Sequence, residues 1–327
     1  MNTYYIDPGA SAGGDGSLEN PFNSWDEVTI TAGDTFLQKS GTDWAGTIRV
    51  AVATEEGDTT RIGTYGGDVP ASIQGEIILD TASGVVIEGL EIHDSQTGGI
   101  SVIGDTADVT IRDCEIRDSG VGMQLLNGTA ENLRIEGCTL TGNDTAGVSA
   151  TEFHGTSDNK IVLSGNQITQ NGMQGVLLYA NHWIVEYNEI HNNGLVGVPG
   201  TSGVHMIAET VDQEAGDYNI VRFNRISHQQ DSDGWDGNGI QADHYSDFNI
   251  IHDNEIFLND GAAVSVFDSE GTQVFNNFMY DNHLDPGFTH GEMGSIVLAS
   301  RDINDDRTLN SEVYNNPIVV RNPAAAG

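Results

Sequence analysis

Proton transfer needs side chains that titrate or hydrogen-bond, and in this 327-residue chain they gather unevenly. Tyr179, His205, Gln241 and Asp243 recur at matching points of neighbouring segments, with His244 and Tyr245 directly after Asp243. A tyrosine, two histidines and a carboxylate can act as acid, base and stabiliser in proton-transfer chemistry. This makes His205, Tyr179, Asp243 and His244 the candidate catalytic residues. Just ahead of Gln241 stand Asp231, Asp233, Trp235 and Asp236. The three carboxylates Asp236, Asp233 and Asp231 could hold a hard cation such as Ca²⁺. Trp235, Gln241 and Tyr245 are the candidate substrate contacts, in or beside a loop that would wall a groove. His290 and Glu292 could reach the same place from the next long turn.

These residues share a site only if something stacks their segments, and a repeat does. Val86-Ile87-Glu88-Gly89-Leu90-Glu91-Ile92 is matched by Thr110-Ile111-Arg112-Asp113-Cys114-Glu115-Ile116 and by Arg134-Ile135-Glu136-Gly137-Cys138-Thr139-Leu140, and the pattern returns through residue 277. One column then reads Leu90, Cys114, Cys138, Asn166, Asn188, Asn224, Asn254, Asn277. Asparagines at one register of coils about 4.8 Å apart can bond amide to amide along a stack. After each line a short alternating strand starts near a glycine, as in Gly147-Val148-Ser149-Ala150 and Gly203-Val204-His205-Met206. Its second residue faces outward. The outward columns read Ser101, Gln124, Ser149, Leu177, His205, Gln241, Ala263, and two residues on Ile103, Leu126, Thr151, Tyr179, Ile207, Asp243, Ser265. Coils of 23 to 28 residues give way to a step of 36 between His205 and Gln241, so that coil carries an inserted loop. The expected fold class is all-β, a right-handed parallel β-helix.

The start of the chain differs. Tyr4-Tyr5-Ile6-Asp7-Pro8-Gly9, Asn20-Pro21-Phe22, Gly33-Asp34-Thr35-Phe36-Leu37 and Ile62-Gly63-Thr64-Tyr65-Gly66-Gly67 resemble the N-terminal cap and first coils of pectate-lyase-like β-helix proteins. That resemblance implies one β-helix domain over 1–327: a cap and first coils over 1–80, regular coils over 81–300, and a final coil and tail over 301–327. A cap would close the edge that an open first coil presents.

A formal charge of -37, from 12 Lys+Arg against 49 Asp+Glu, argues against nucleic-acid and anionic-membrane partners. Met1-Asn2-Thr3-Tyr4-Tyr5 is not a signal peptide. The expectation is an extracellular protein exported without a visible N-terminal signal, alone, beside further modules or as a homo-oligomer. Cys114 and Cys138 stand one coil apart at one register, which holds their Cβ atoms beyond disulfide reach and makes them buried free thiols.

Three functions fit. The first is cleavage or epimerisation of an acidic (uronate) polysaccharide by abstraction of the C5 proton, which lies α to a carboxylate. Gln241 or a cation on Asp243 and Asp236 would neutralise that carboxylate, while His205 and Tyr179 exchange protons. Gln241-Ala242-Asp243-His244 resembles in outline the Asp-Pro-His of alginate C5-epimerase modules, without their Tyr-Gly and Pro. The second is a glycoside hydrolase in which Asp243 pairs with Asp236, Asp233 or Glu209 across the bond. The chain resembles polygalacturonases in fold but lacks Asn-Thr-Asp, Gly-His-Gly and Arg-Ile-Lys, and Asp305-Asp306 reads as a solvated turn. The third is a non-catalytic carbohydrate-binding, adhesive or phage-tail module.

Overall fold

A computed structural model describes residues 1–55, 57–231, 234, 236–284, 294–301 and 308–321. Asp233, Trp235, His290, Glu292, Asp305 and Asp306 lie outside the described residues. Short strands, paired in parallel without a break from Thr3–Ile6 to Ile318–Val319, wind a right-handed solenoid of about 9 turns. Each regular coil contributes one strand to each of three faces. On the first lie Ile161–Ser164, Trp183–Glu186 and Ile220–Arg222; on the second, Gln167–Thr169, Glu189–His191 and Arg225–Ser227. The third carries the candidate site: Val148–His154, Val176–Tyr179, Ser202–Ile207, Asn238–Asp243 and Val264–Phe267.

Alternation explains the core. Val176 and Leu178, Val204 and Met206, Ile240 and Ala242, and Val264 and Val266 all point inward and are buried, stacking one coil on the next. Glycine opens these strands for a reason of space. A Cβ on Gly203 would stand 2.5 Å from the Gly239 carbonyl oxygen of the next coil, closer than carbon and oxygen can approach.

The asparagine column is a continuous ladder. The backbone N–H and Nδ2 of Asn188 both donate to Asn224 Oδ1 at 3.0 Å, and Asn224 repeats this onto Asn254 Oδ1 at 3.0 Å. Asn316 adds a further rung beyond Asn277. A second ladder runs beside it through Asn143, Asn171, Asn193, Gln229, Asn259 and Asn282. Buried amides with both ends satisfied fix the register of every coil they join.

Cys114 and Cys138 are free and buried, as expected from their register. The neighbouring Cys138 thiol, together with burial, pushes the Cys114 thiol well above its ordinary pKa. At the N-terminus, Thr3–Ile6 pairs with Thr35–Lys39, which pairs with Thr60–Tyr65, so the first residues join the same stack. Trp25 Nε1 donates to Gln38 Oε1 at 2.6 Å, and Ile6 and Phe36 are buried there. No helix among the described residues is long and apolar enough to cross a membrane.

Candidate active site

Register places the site residues. On the third face His205 lies opposite Leu177 on one side and Gln241 on the other, while Ile207 lies opposite Asp243. Asp243 is therefore the diagonal neighbour of His205 on the same side of the sheet, close enough for side chains to meet. Tyr179 stands two strands earlier in the Asp243 column, with Ile207 between them.

One expected register is wrong by two residues. Gln241 pairs with Ser265, not Ala263, and the Asp243 column continues toward Phe267. Ala263 occupies the place of the strand-opening glycine: the Ile240 N–H donates to its carbonyl just as the Val148 N–H donates to that of Gly175. A small residue there satisfies the same spatial demand, so the glycine landmark disappears from the sequence.

The outward column is also not an open groove at this point. His205 is 4% exposed, Gln241 5% and Asp243 7%, so the three form a buried polar cluster. Its bonds are nearly complete. His205 Nε2 meets Asp243 Oδ2 at 3.1 Å and Nδ1 meets the Gly200 carbonyl at 3.3 Å. Both partners are acceptors, so both ring nitrogens donate and the ring is an imidazolium. Burial opposes that charge, but the Asp243 carboxylate outweighs it and carries His205 above its ordinary pKa. Gln241 Nε2 donates to Asp243 Oδ2 at 3.2 Å, and Gln241 Oε1 accepts from Ser202 Oγ at 2.8 Å and from Asn238 Nδ2 at 3.2 Å.

The two carboxylates near His205 are driven in opposite directions. Burial works to raise Asp243, yet hydrogen bonds and charge from His205 and His244 hold it well below the usual carboxylate range. Asp236, in the turn leading into the strand, is raised by burial and by the nearby Asp243 charge; the Gly200 N–H, donating to Asp236 Oδ2 at 2.6 Å, only partly offsets this. Gly200 thus touches both sides of the site, its carbonyl on His205 and its amide on Asp236.

The remaining candidates lie at the margin. Tyr179 is half-buried, its hydroxyl makes no hydrogen bond among the described residues, and burial raises its pKa, with Glu209 and Asp243 adding to the effect. His244 Nδ1 lies against Asp243 Oδ1, the ring packs 5.2 Å from that of Phe267, and its buried Nε2 has no hydrogen-bond partner among the described residues. Tyr245 follows in a turn, its ring 6.4 Å from that of His244. The Asp231 backbone N–H donates to Asp260 Oδ2 at 3.1 Å. Of the expected Ca²⁺ ligands, Asp236 is tied to Gly200, and no three His, Cys, Asp or Glu side chains among the described residues are arranged to hold a metal. Ser202, Asn238 and Gly200 were not read from the sequence as part of the site. The signal for Ser202 and Asn238 in the sequence is that each stands directly before a strand-opening glycine, Gly203 and Gly239.

A family model described as a right-handed beta helix region matches residues 71–211. The chain is a right-handed parallel β-helix. No curated protein matches it. Among solved structures, this β-helix resembles a lacto-N-biosidase from Eubacterium ramulus at a TM-score of 0.71 and 14% identity, over 98% of this chain and 68% of that one. It resembles an alginate lyase from Paenibacillus sp. at 0.64 and 13%, over 90% and 97% of the two chains. It also resembles the A-module of a mannuronan C-5 epimerase from Azotobacter vinelandii at 0.60 and 14%, over 88% and 78%. At such identities the likeness is one of fold, and chemistry must be argued from the site.

Proposed function

We propose that this β-helix is an extracellular carbohydrate-active enzyme that cleaves glycosidic bonds with Asp236 and Asp243. The observation that carries the reading is that two carboxyl groups around one histidine are driven in opposite directions, Asp236 upward by burial and Asp243 downward, against burial, by hydrogen bonds and charge from its histidines. Glycoside cleavage needs one carboxylic acid to protonate the leaving oxygen and one carboxylate to act as nucleophile or base. Neighbouring groups whose surroundings push their pKa values apart are suited to those two roles. Asp236, its pKa raised by burial, takes the part of the acid. Asp243, kept ionised by His205 and His244, is the nucleophile or base. Gln241 orients Asp243 through its amide. The half-buried Asp236 and Tyr179 form the edge a sugar would meet first.

The residues read along the sequence put proton abstraction from a uronate first, and the geometry weakens that order. Its base would be His205, whose two nitrogens are both engaged. Its substrate carboxylate needs a positive partner. Every described Lys and Arg except Lys160 is in an ion pair with an Asp or Glu that is none of the site residues. One observation keeps the uronate reading as a second one: the free hydroxyl of Tyr179, held protonated, is placed to donate a proton.

The test is to incubate the protein with neutral glycans and with uronate polymers, with and without Ca²⁺, and follow reducing ends and absorbance near 235 nm together. New reducing ends without absorbance, lost in Asp236→Asn and Asp243→Asn, support the carboxylate pair. Absorbance on a uronate, lost in Tyr179→Phe, would transfer the assignment to proton abstraction. Neither signal on any glycan would leave C5 epimerisation or a binding module, which NMR of the recovered polymer separates.

A further inference from the structure

A polar groove runs along the corner where the third face turns into the first, over coils ahead of the candidate site. Clefts of about 670, 510 and 540 Å³ follow one another there. The first and second share Ser83 and Ala107, and the second and third share Asp105 and Thr129, so the three are continuous. Register explains the depression. Ala53 bridges to Ser83, Ser83 pairs with Ala107, and Ala107 pairs with Glu131. Small side chains in succession leave the corner low over these three coil steps, about 14 Å of the stack. Beside them stand Gly84, Asp108 and Asn132, whose Nδ2 donates to Asp108 Oδ1 at 2.8 Å.

The lining offers hydrogen bonds that the chain itself does not use. Asp105 Oδ1 accepts from the N–H and Oγ1 of Thr129, both at 2.9 Å, while Asp105 Oδ2 has no hydrogen-bond partner among the described residues. Thr106, 6% exposed and next in the chain, lines the second cleft, and its Oγ1 has no hydrogen-bond partner among the described residues. In the third cleft His154 Nδ1 accepts from the Asn181 N–H at 3.1 Å, so the ring proton sits on Nε2 and is free to donate. Burial keeps that ring neutral, lowering its pKa against the pull of Glu152 and Glu214. Asp212, Gln213 and Glu214 complete this cleft, with the Glu214 carbonyl held by Asn181 Nδ2 at 2.9 Å.

We propose that this corner groove is a glycan-binding site separate from Asp236 and Asp243, and that it takes an extended neutral glycan and rejects uronates. Every sugar ring carries hydroxyls that both donate and accept, which suits free carboxylate oxygens interspersed with a few donors. Hydrogen bonds to charged groups are the stronger kind. A uronate would bring its own carboxylate against Asp58, Asp105, Asp108, Glu152, Asp212 and Glu214, and like charges brought together suppress binding. Arg134, the one Lys or Arg among the described lining residues, is already paired with Glu136 at 2.5 Å. A peptide strand fits poorly, because it needs an open sheet edge and these strands are paired coil to coil. The described lining also holds no Phe, Tyr or Trp to receive peptide side chains. The third cleft is walled by part of the 208–216 segment, whose Glu209 lies near Tyr179, so the groove leads toward the third face.

The test is calorimetric titration of the intact chain carrying Asp243→Asn, which alters no residue of the groove and stops the proposed cleavage. The probes are cellohexaose, maltohexaose, mannohexaose and a hexamer of mannuronate. At least one neutral hexamer should bind, and the mannuronate hexamer should not. Ala107→Trp, added to the same chain, fills the floor and should raise the Kd of that neutral hexamer at least about tenfold. Asn132→Trp blocks the groove from its side and serves if the first variant does not fold. The readout is binding, so it stands whether or not Asp236 and Asp243 cleave glycans. Binding of no neutral hexamer, binding of mannuronate as tight as that of the neutral probes, or undiminished binding in both tryptophan variants overturns the site.

Discussion

His205 Nε2 donates to Asp243 Oδ2 over 3.1 Å, from one strand to the diagonal position on the next, with both residues buried. The pair holds its charges only together. Removing the imidazolium leaves a carboxylate in a buried site without its hydrogen-bonded partner. His205→Ala should therefore destabilise the fold by about 3–5 kcal/mol, the usual result of breaking a buried pair from one side. Urea unfolding at pH 6 measures it. A change below about 1 kcal/mol would mean that the pair is solvated and the site open.

If Asp236 and Asp243 cleave glycans as proposed, the pH dependence of the reaction follows from these two carboxyl groups. Asp243 must be ionised, and its lowered pKa keeps it so down to strongly acidic solution. Asp236 must be protonated, and activity falls as pH rises through its raised pKa. The kcat/KM profile should hold on the acid side and drop on the alkaline side. Asp236→Asn should remove the alkaline limb along with about 10²–10⁴ of the rate. An alkaline limb that survives in the residual activity of Asp236→Asn would assign it to another group.

The architecture was legible where burial forces one residue type on every coil. Asn166, Asn188 and Asn224 repeat because a buried amide must find both a donor and an acceptor at each rung, so the column announces the stack. The second ladder sits five residues further on, at Asn171 and Asn193, but Gln229 breaks its run and Ser119 precedes it, so the eye passes over it. Ala263 hid the register of the next strand by replacing a glycine. What covers His205 and Gln241 was not legible at all: alternation says which way a side chain points, and not whether a turn folds over it. The opposite pKa shifts of Asp236 and Asp243 depend on that burial and on their hydrogen bonds, and so appear only with the structure.

The ladders make a stability prediction of their own. Asn224 accepts from the Asn188 N–H and Nδ2 and donates to the Val185 carbonyl and Asn254 Oδ1. Asn224→Ala strands those buried groups without partners, at about 1–3 kcal/mol for each one left unsatisfied. The loss should exceed that of an exposed control such as Asn159→Ala by at least about 2 kcal/mol in the same denaturant titration. Equal losses would show that water replaces the amide at the vacated rung.

The two thiols report on the integrity of the coils that hold them. Cys114 and Cys138 are buried, and Cys114 is pushed well above its ordinary pKa by its neighbour and by burial, so Cys114 forms little thiolate and neither sulfur is open to a reagent in the folded chain. A thiol reagent at pH 8 should label neither until the stack opens, and then both at once, because one sheet joins their coils through Glu115↔Thr139. Labelling that tracks global unfolding across a denaturant series would fit a cooperative stack. Labelling well before the spectroscopic transition would reveal that these coils open separately from the asparagine-laddered half, where no cysteine stands in the column.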